Sequence, residues 1–172
     1  SEFRSRVQKI VVDSKVGSSA AGAKANPGSH HPERTGVVRS YMPQGHRHTA
    51  EMEQELETGV SFSPHGVEMV RGILNTIHVF FDDTPSLGEV WKAYRNHYED
   101  ERFVRFVKER KGIYRYPEPK LLQGTNTVEI GFELDARDDR LVVMAAIDNL
   151  VKGAAGQAVQ SANLSLGFTE SA

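Results

Sequence analysis

The 172-residue chain contains no cysteine. That excludes a disulfide framework, a thiolate metal site and any thiol nucleophile supplied by these residues. No apolar run approaches the ~20 residues that a membrane-crossing helix needs. The opening, Ser1 to Lys9, also lacks the apolar stretch of a secretion signal, so the expected compartment is the cytoplasm. An excess of one charge is missing too: 21 Lys and Arg stand against 23 Asp and Glu, a formal net charge of -2, with the basic residues dispersed. Nucleic acid demands a concentrated basic field, so it is not an expected partner. No internal repeat and no low-complexity linker divides the sequence.

What is present suits one domain with its own core: 38% hydrophobic and 26% charged residues. Val7 to Asp13 reads as a strand running into a long loop, Ser14 to Ser29, rich in Ser, Gly and Ala. A second irregular stretch, His30 to Gly45, precedes a short helical pattern from Ala50 to Glu57. In Ile73 to Phe81 both alternating sets are largely apolar, the pattern of a central strand covered on two faces; His78 within it reads as a core or edge histidine. Ser86 and Glu89 form a capping box ahead of Val90, Ala93, Tyr94, His97 and Tyr98 at helical spacing, which predicts a helix to about Asp100. Phe103 to Val107 reads as a strand. Val128 to Leu134 and Leu141 to Ile147, joined by the turn Asp135 to Asp139, read as a hairpin. The sum is an α+β domain, a mostly antiparallel twisted sheet covered by two or three helices.

Three stretches carry chemistry-bearing side chains. Gly45-His46-Arg47-His48-Thr49-Ala50-Glu51 sets two imidazoles and a guanidinium just ahead of a helix. If His46 to His48 is extended, its rings point one way and Arg47 the other, while Glu51 folds back on one ring nitrogen, giving a base with an orienter. The positive end of the helix and the Glu51 carboxylate act on that ring in opposite senses, which suits a general acid or base. A solvated turn accounts for the same residues. So does a zinc site completed by His30, His31 or His65, but nothing specifies that third ligand and no metal is expected. Ser61 to Gly66, followed by Arg71 where the buried strand begins, forms a second polar node; Arg71 there either grips an anion bidentately or simply ends an element. Gly17 to Lys24 lacks the spacing of a phosphate-cradling loop. In the third stretch, Asp148-Asn-Leu-Val-Lys-Gly-Ala-Ala-Gly-Gln-Ala-Val-Gln160, Asp148 is placed to cap a helix running to about Asn163. Gly153 and Gly156 each cost roughly 0.5–1 kcal/mol relative to Ala, which points to close approach of another backbone or of a flat ligand.

Taken in order, Lys15 to Lys24, Gly45 to Leu56, Ser63 to Leu74 and Asp148 to Gln160 resemble the C-terminal catalytic domain of the N-acetyl-γ-glutamyl-phosphate reductases. The resemblance implies a glyceraldehyde-3-phosphate-dehydrogenase-like C-terminal domain over residues 1–172, serving substrate binding, catalysis and dimerisation. It also implies a longer protein, whose absent N-terminal Rossmann domain carries the NADP loop and the catalytic cysteine. The chemistry implied is that of an NADPH-dependent oxidoreductase of arginine or lysine biosynthesis: a thiolate displaces phosphate from an acyl phosphate, and hydride reduces the thioester to an aldehyde. The isolated chain is accordingly expected to be inactive.

By position, His48 resembles the general base that activates the cysteine, with Glu51 as its orienter, and His46 and Arg47 line the substrate side. His65 and Arg71 match positions near the acyl phosphate and substrate carboxylate. Ser18, Gly22 and Lys24 match a substrate loop in which relatives commonly carry Arg at the position of Lys24. Asn149 resembles the residue that holds the nicotinamide carboxamide, and Gly153 lies on the cofactor side. With the cofactor domain elsewhere, the polar start of this helix is expected to face solvent. His30, His31, Arg34 and Arg39 look more like the branch acting on glutamyl or aminoadipyl phosphate attached to a small acidic carrier protein, which basic residues at the entrance would meet. A homo-oligomer formed through the sheet is implied as well. A reading from another class, a non-catalytic dimerisation or carrier-binding module, shares the same pattern.

Overall fold

The two apolar sets of Ile73–Phe81 put that segment, β4, at the middle of a seven-stranded sheet, with most of its residues half-buried. The computed structural model describes residues 2–109 and 111–171; the two ends of the expected 1–172 domain, Ser1 and Ala172, lie outside the described residues. Across the sheet the order is β2 (Val38–Ser40), β3 (Val60–Val67), β1 (Val7–Val16), β4, β7 (Arg140–Ile147), β6 (Val128–Asp135) and β5 (Val104–Phe106). β1 is parallel to β3 and β5 to β6, and the other neighbouring pairs are antiparallel. The sheet is therefore mostly antiparallel, as the periodicities imply.

One face carries the helices. α1 (Arg47–Leu56) connects β2 to β3 and lays Met52 on Ile10, Val12 and Val60, where Phe62 also packs. α2 (Leu87–Tyr98) buries Val90 against Phe81, Leu141 and Val143, and its Tyr94 ring stacks on Phe132 at 5.0 Å. Its start is the expected capping box: Glu89 N–H donates to Ser86 Oγ, and Ser86 N–H donates to the Glu89 carboxylate at 2.7 Å. Because strand side chains alternate, the opposite face takes Asp13, Lys15, Thr76, His78 and His65. Pro117 crosses that face where Gly131 leaves room for it, and Tyr116 Oη donates to Glu133.

Two strands depart from the sequence expectation. β3 occupies the stretch read as a polar node, and β2 lies inside the stretch read as irregular. In β3 the polar Ser61 and Ser63 alternate with Phe62 and with Pro64, which is buried, so composition masks a half-buried strand. Pairing with β3 also carries β1 on to Val16, which shortens the expected loop from Ser14.

His78 is expected to make the fold acid-sensitive. Burial, then the adjacent Arg140, holds its pKa below the ordinary value, with Asp13 opposing and Lys15 assisting. His46 is lowered in the same direction by burial, then by His48 and Arg47, against Glu51. A histidine whose folded pKa lies below its unfolded value of ~6.5 binds protons more readily in the unfolded chain. Stability is thus complete above that value and falls as pH drops from it through the folded pKa. Thermal melts of His78→Asn at pH 7 and pH 5 are expected to differ by less than those of the parent; an equal difference would move the effect away from His78.

Candidate active site

His46 is the cap of α1. Its backbone is extended (ψ 133°), and its Nδ1 accepts the N–H of His48 at 3.2 Å. A neutral His46 therefore carries its proton on Nε2. Arg47 and His48 belong to the first helical turn rather than to an extended run, which corrects the expectation that three extended residues present them. The helix nevertheless gathers the group: the His46 ring is edge-on to Phe62 at 5.0 Å and to His48 at 4.8 Å. His48 Nε2 lies 4.0 Å from Glu51 Oε2, one turn on, and both side chains are open to solvent at 47% and 70% exposure. Arg47 is exposed beside them.

A second group forms where β1, β4 and β7 reach the same end of the sheet. Gly17 N–H donates to Gly72 O at 2.9 Å, Ser18 N–H to Met69 O at 3.0 Å and Ser19 N–H to Val70 O at 2.9 Å. Asp148 is fully buried. Its Oδ1 accepts the N–H groups of Leu150 and Val151 at 2.8 and 3.1 Å, the expected cap. Its Oδ2 accepts Gly124 N–H at 2.6 Å and sits 2.9 Å from Arg71 Nε. Burial raises the carboxyl's pKa, but the three backbone N–H groups and Arg71 outweigh it and leave it below the usual carboxylate range. Asn149 Oδ1 accepts Gly72 N–H at 2.6 Å, and its Nδ2 donates to Ser19 Oγ at 2.9 Å.

The polar start of this helix is therefore buried, at 0% and 6% exposure for Asp148 and Asn149, against the expectation that it faces solvent. Loops of the same chain supply its partners. The helix opens with a π-helical turn, Val151–Ala155, and continues as α3 (Gly156–Ser165). At Gly156 the space a side chain would need is filled by Asn126 and Val151, so that close approach is internal, whereas Gly153 stays exposed near Ile147.

The remaining expected residues divide. Ser18 is buried with its Oγ 3.2 Å from His31 Nδ1. Gly22 (φ 83°) follows the 3-10 turn Ser18–Ala21, and Lys24 is exposed. His30 and Arg39 are exposed, but Arg34 is buried, with Nη2 donating to Val16 O. Arg34 is thus not an entrance residue, because it turns inward onto Gly66. His65 pairs with Asp13 at 3.0 Å on the sheet face opposite α1. The structure brings His46, His48 and Glu51 into one group and Ser18, Arg71 and Asn149 into another. It does not bring His65 to His48. His46 meets β3 at Phe62 and Arg34 meets it at Gly66, four residues or ~13 Å further along. Sequence reasoning missed Ser19 as a partner of Asn149 and Asp148 as the anchor of Arg71; no local spacing signals either.

Residues 4–149 match the profile of a family described as "Semialdehyde dehydrogenase, dimerisation domain". A Natronomonas pharaonis protein, provisionally named LysW-L-2-aminoadipate/LysW-L-glutamate phosphate reductase, is 56% identical over 165 residues, which is 96% of this chain and 48% of that protein. A Thermomicrobium roseum protein, provisionally named LysW-L-2-aminoadipate 6-phosphate reductase, is 54% identical over 169 residues, again 48% of its length. The chain spans about half the length of these relatives. Aspartate semialdehyde dehydrogenase II of Vibrio cholerae shares the fold, with a TM-score of 0.71 at 16% identity over 98% of this chain and 58% of that one. The profile match from Arg4 to Asn149, which covers most of the chain, places it in the semialdehyde dehydrogenase dimerisation-domain family.

Proposed function

We propose that the chain is the substrate-binding and catalytic half of an NADPH-dependent acyl-phosphate reductase, which makes an aldehyde from an amino-acid acyl phosphate in the cytoplasm during arginine or lysine biosynthesis. The observation that carries this reading is His48, an accessible imidazole at the start of α1 with Glu51 4.0 Å away. His48 takes the proton of a cysteine thiol supplied by the N-terminal half, and Glu51 favours the imidazolium that results. Arg71, held at Nε by Asp148, keeps its Nη groups for a phosphate or carboxylate. Ser18, Gly22, Lys24, His46 and Arg47 are assigned to the substrate on the motif resemblance, from the two groups described above, while His65 stays with the opposite face. After bonding Ser19, Asn149 Nδ2 retains one hydrogen to donate to a nicotinamide carboxamide, and exposed Gly153 leaves a flat surface next to it. NADPH, bound mainly by the N-terminal half, supplies the hydride.

The names of the relatives favour a carrier-linked aminoadipyl or glutamyl phosphate over free N-acetyl-γ-glutamyl phosphate. Exposed Lys24, His30, Arg39 and Arg47 suit an acidic carrier. The family's description as a dimerisation domain supports a homo-oligomer, and the part of the sheet face opposite α1 that the Tyr116–Pro117 segment leaves uncovered is the surface proposed for it. The test joins this chain to its N-terminal half and assays both substrate classes with NADPH. Turnover of the carrier-linked acyl phosphate is expected, with none from the chain alone. Faster turnover of N-acetyl-γ-glutamyl phosphate would reverse the substrate assignment, and no turnover of either would leave a non-catalytic module.

A further inference from the structure

Among the described residues Arg34 is the one buried Lys or Arg. It closes the 3-10 turn His31–Arg34 and is 6% exposed. Its guanidinium occupies the volume a side chain at position 66 would take: a Cβ on Gly66 would lie 2.7 Å from Nη2 and 3.2 Å from Cζ. A buried cation is costly unless an anion compensates it. Among the described residues no carboxylate forms an ion pair with it, and the titratable side chains near it are Tyr41 and Arg39. Burial raises the Tyr41 pKa, so that phenol is neutral at physiological pH and does not balance the charge. Of the five N–H donors on a guanidinium, Val16 O takes one.

Its position joins the two groups described above. His31, on the same turn, touches Ser18, while Tyr41, near Arg34, lies 6.1 Å ring to ring from His46. We propose that Arg34 binds an oxyanion of the acyl-phosphate substrate, its phosphate or its carboxylate, between His46 and Ser18. This rests on the reductase reading and gives that substrate a receptor besides Arg71. The competing role, tying the turn to the end of β1, needs only the bond to Val16 and predicts no anion dependence.

The experiment uses the full-length protein and two probes, inorganic phosphate and glutarate, titrated calorimetrically. Arg34→Lys keeps the charge and loses the fork, so it is expected to weaken whichever anion Arg34 holds by about 10-fold in protein whose thermal melt shows it folded at the titration temperature. A shift for phosphate alone assigns the phosphoryl end and a shift for glutarate alone the carboxylate end; either supports the proposal. Equal affinities of the parent and Arg34→Lys for both anions overturn it, whether or not the protein turns over substrate. If Arg34→Lys does not fold, the Nε–H resonance of Arg34 in the parent decides: movement on adding phosphate or glutarate supports the proposal, and no movement overturns it. Absent reductase activity alongside intact anion binding would count against the reductase reading and leave Arg34 as a receptor.

Discussion

His48→Ala in the full-length protein is expected to lower turnover by about 10²–10⁴-fold with little change in KM, the signature of losing a proton-transfer group rather than a binding contact. The local structure separates this from unfolding. His48 is half exposed and fills no core position, and the cap of α1 is supplied by His46, whose Nδ1 receives the His48 backbone N–H that alanine retains. Alanine is also the best helix former, so α1 is not weakened. His46→Ala is the contrasting variant: it removes the cap, at about 1 kcal/mol, and leaves the base in place. Glu51→Gln removes only the orienting charge and should lower turnover less than His48→Ala. Rates across pH provide the second readout, since the limb that reports ionisation of the base should vanish in His48→Ala. Near-normal turnover in that variant would take His48 out of the mechanism.

The elements legible from sequence are those whose signals are local. β4, the β6–β7 hairpin and the Ser86–Glu89 cap each lie within about ten residues of their own evidence. β3 was not legible because its identity depends on parallel pairing with β1, some 50 positions away, and its own Ser, Pro and Gly content reads as a loop. The same distance problem separates the two site groups. His48 and Glu51 are one helical turn apart, so their pairing was visible. Asn149 finds Gly72 and Ser19 across 77 and 130 positions, and that is why a helix start that looked destined for solvent is buried. His65 shows the cost of a missing strand register. Once β3 is a strand, position 65 has the opposite parity to Phe62, and its ring joins Asp13 rather than His46. Arg34 is the same error in reverse, a residue read as surface charge whose inward course depends on Gly66 leaving a gap.

Gly72→Ala is expected to be the most destabilising small substitution in the chain. Gly72 lies at φ +117°, a conformation that L residues rarely adopt, and a Cβ built there would sit 2.5 Å from Cβ of Pro119. Backbone strain of this kind costs ~1–3 kcal/mol and overpacking another ~1–3 kcal/mol, so ~2–6 kcal/mol should be lost from a net stability of ~5–15 kcal/mol. Gly22→Ala is the matched control. Its φ is +83° but nothing lies within 4 Å of the added methyl, so only the strain applies. Urea unfolding of the 172-residue chain should therefore separate the two variants by more than ~1 kcal/mol; equal losses would mean that Pro119 yields freely. Function should follow the backbone. Gly72 donates to Asn149 Oδ1 and accepts from Gly17 N–H, and its neighbour Arg71 is tied to Asp148. Displacing Gly72 moves the proposed nicotinamide contact, the proposed anion grip and the serine loop together, so folded Gly72→Ala should retain far less activity than the parent.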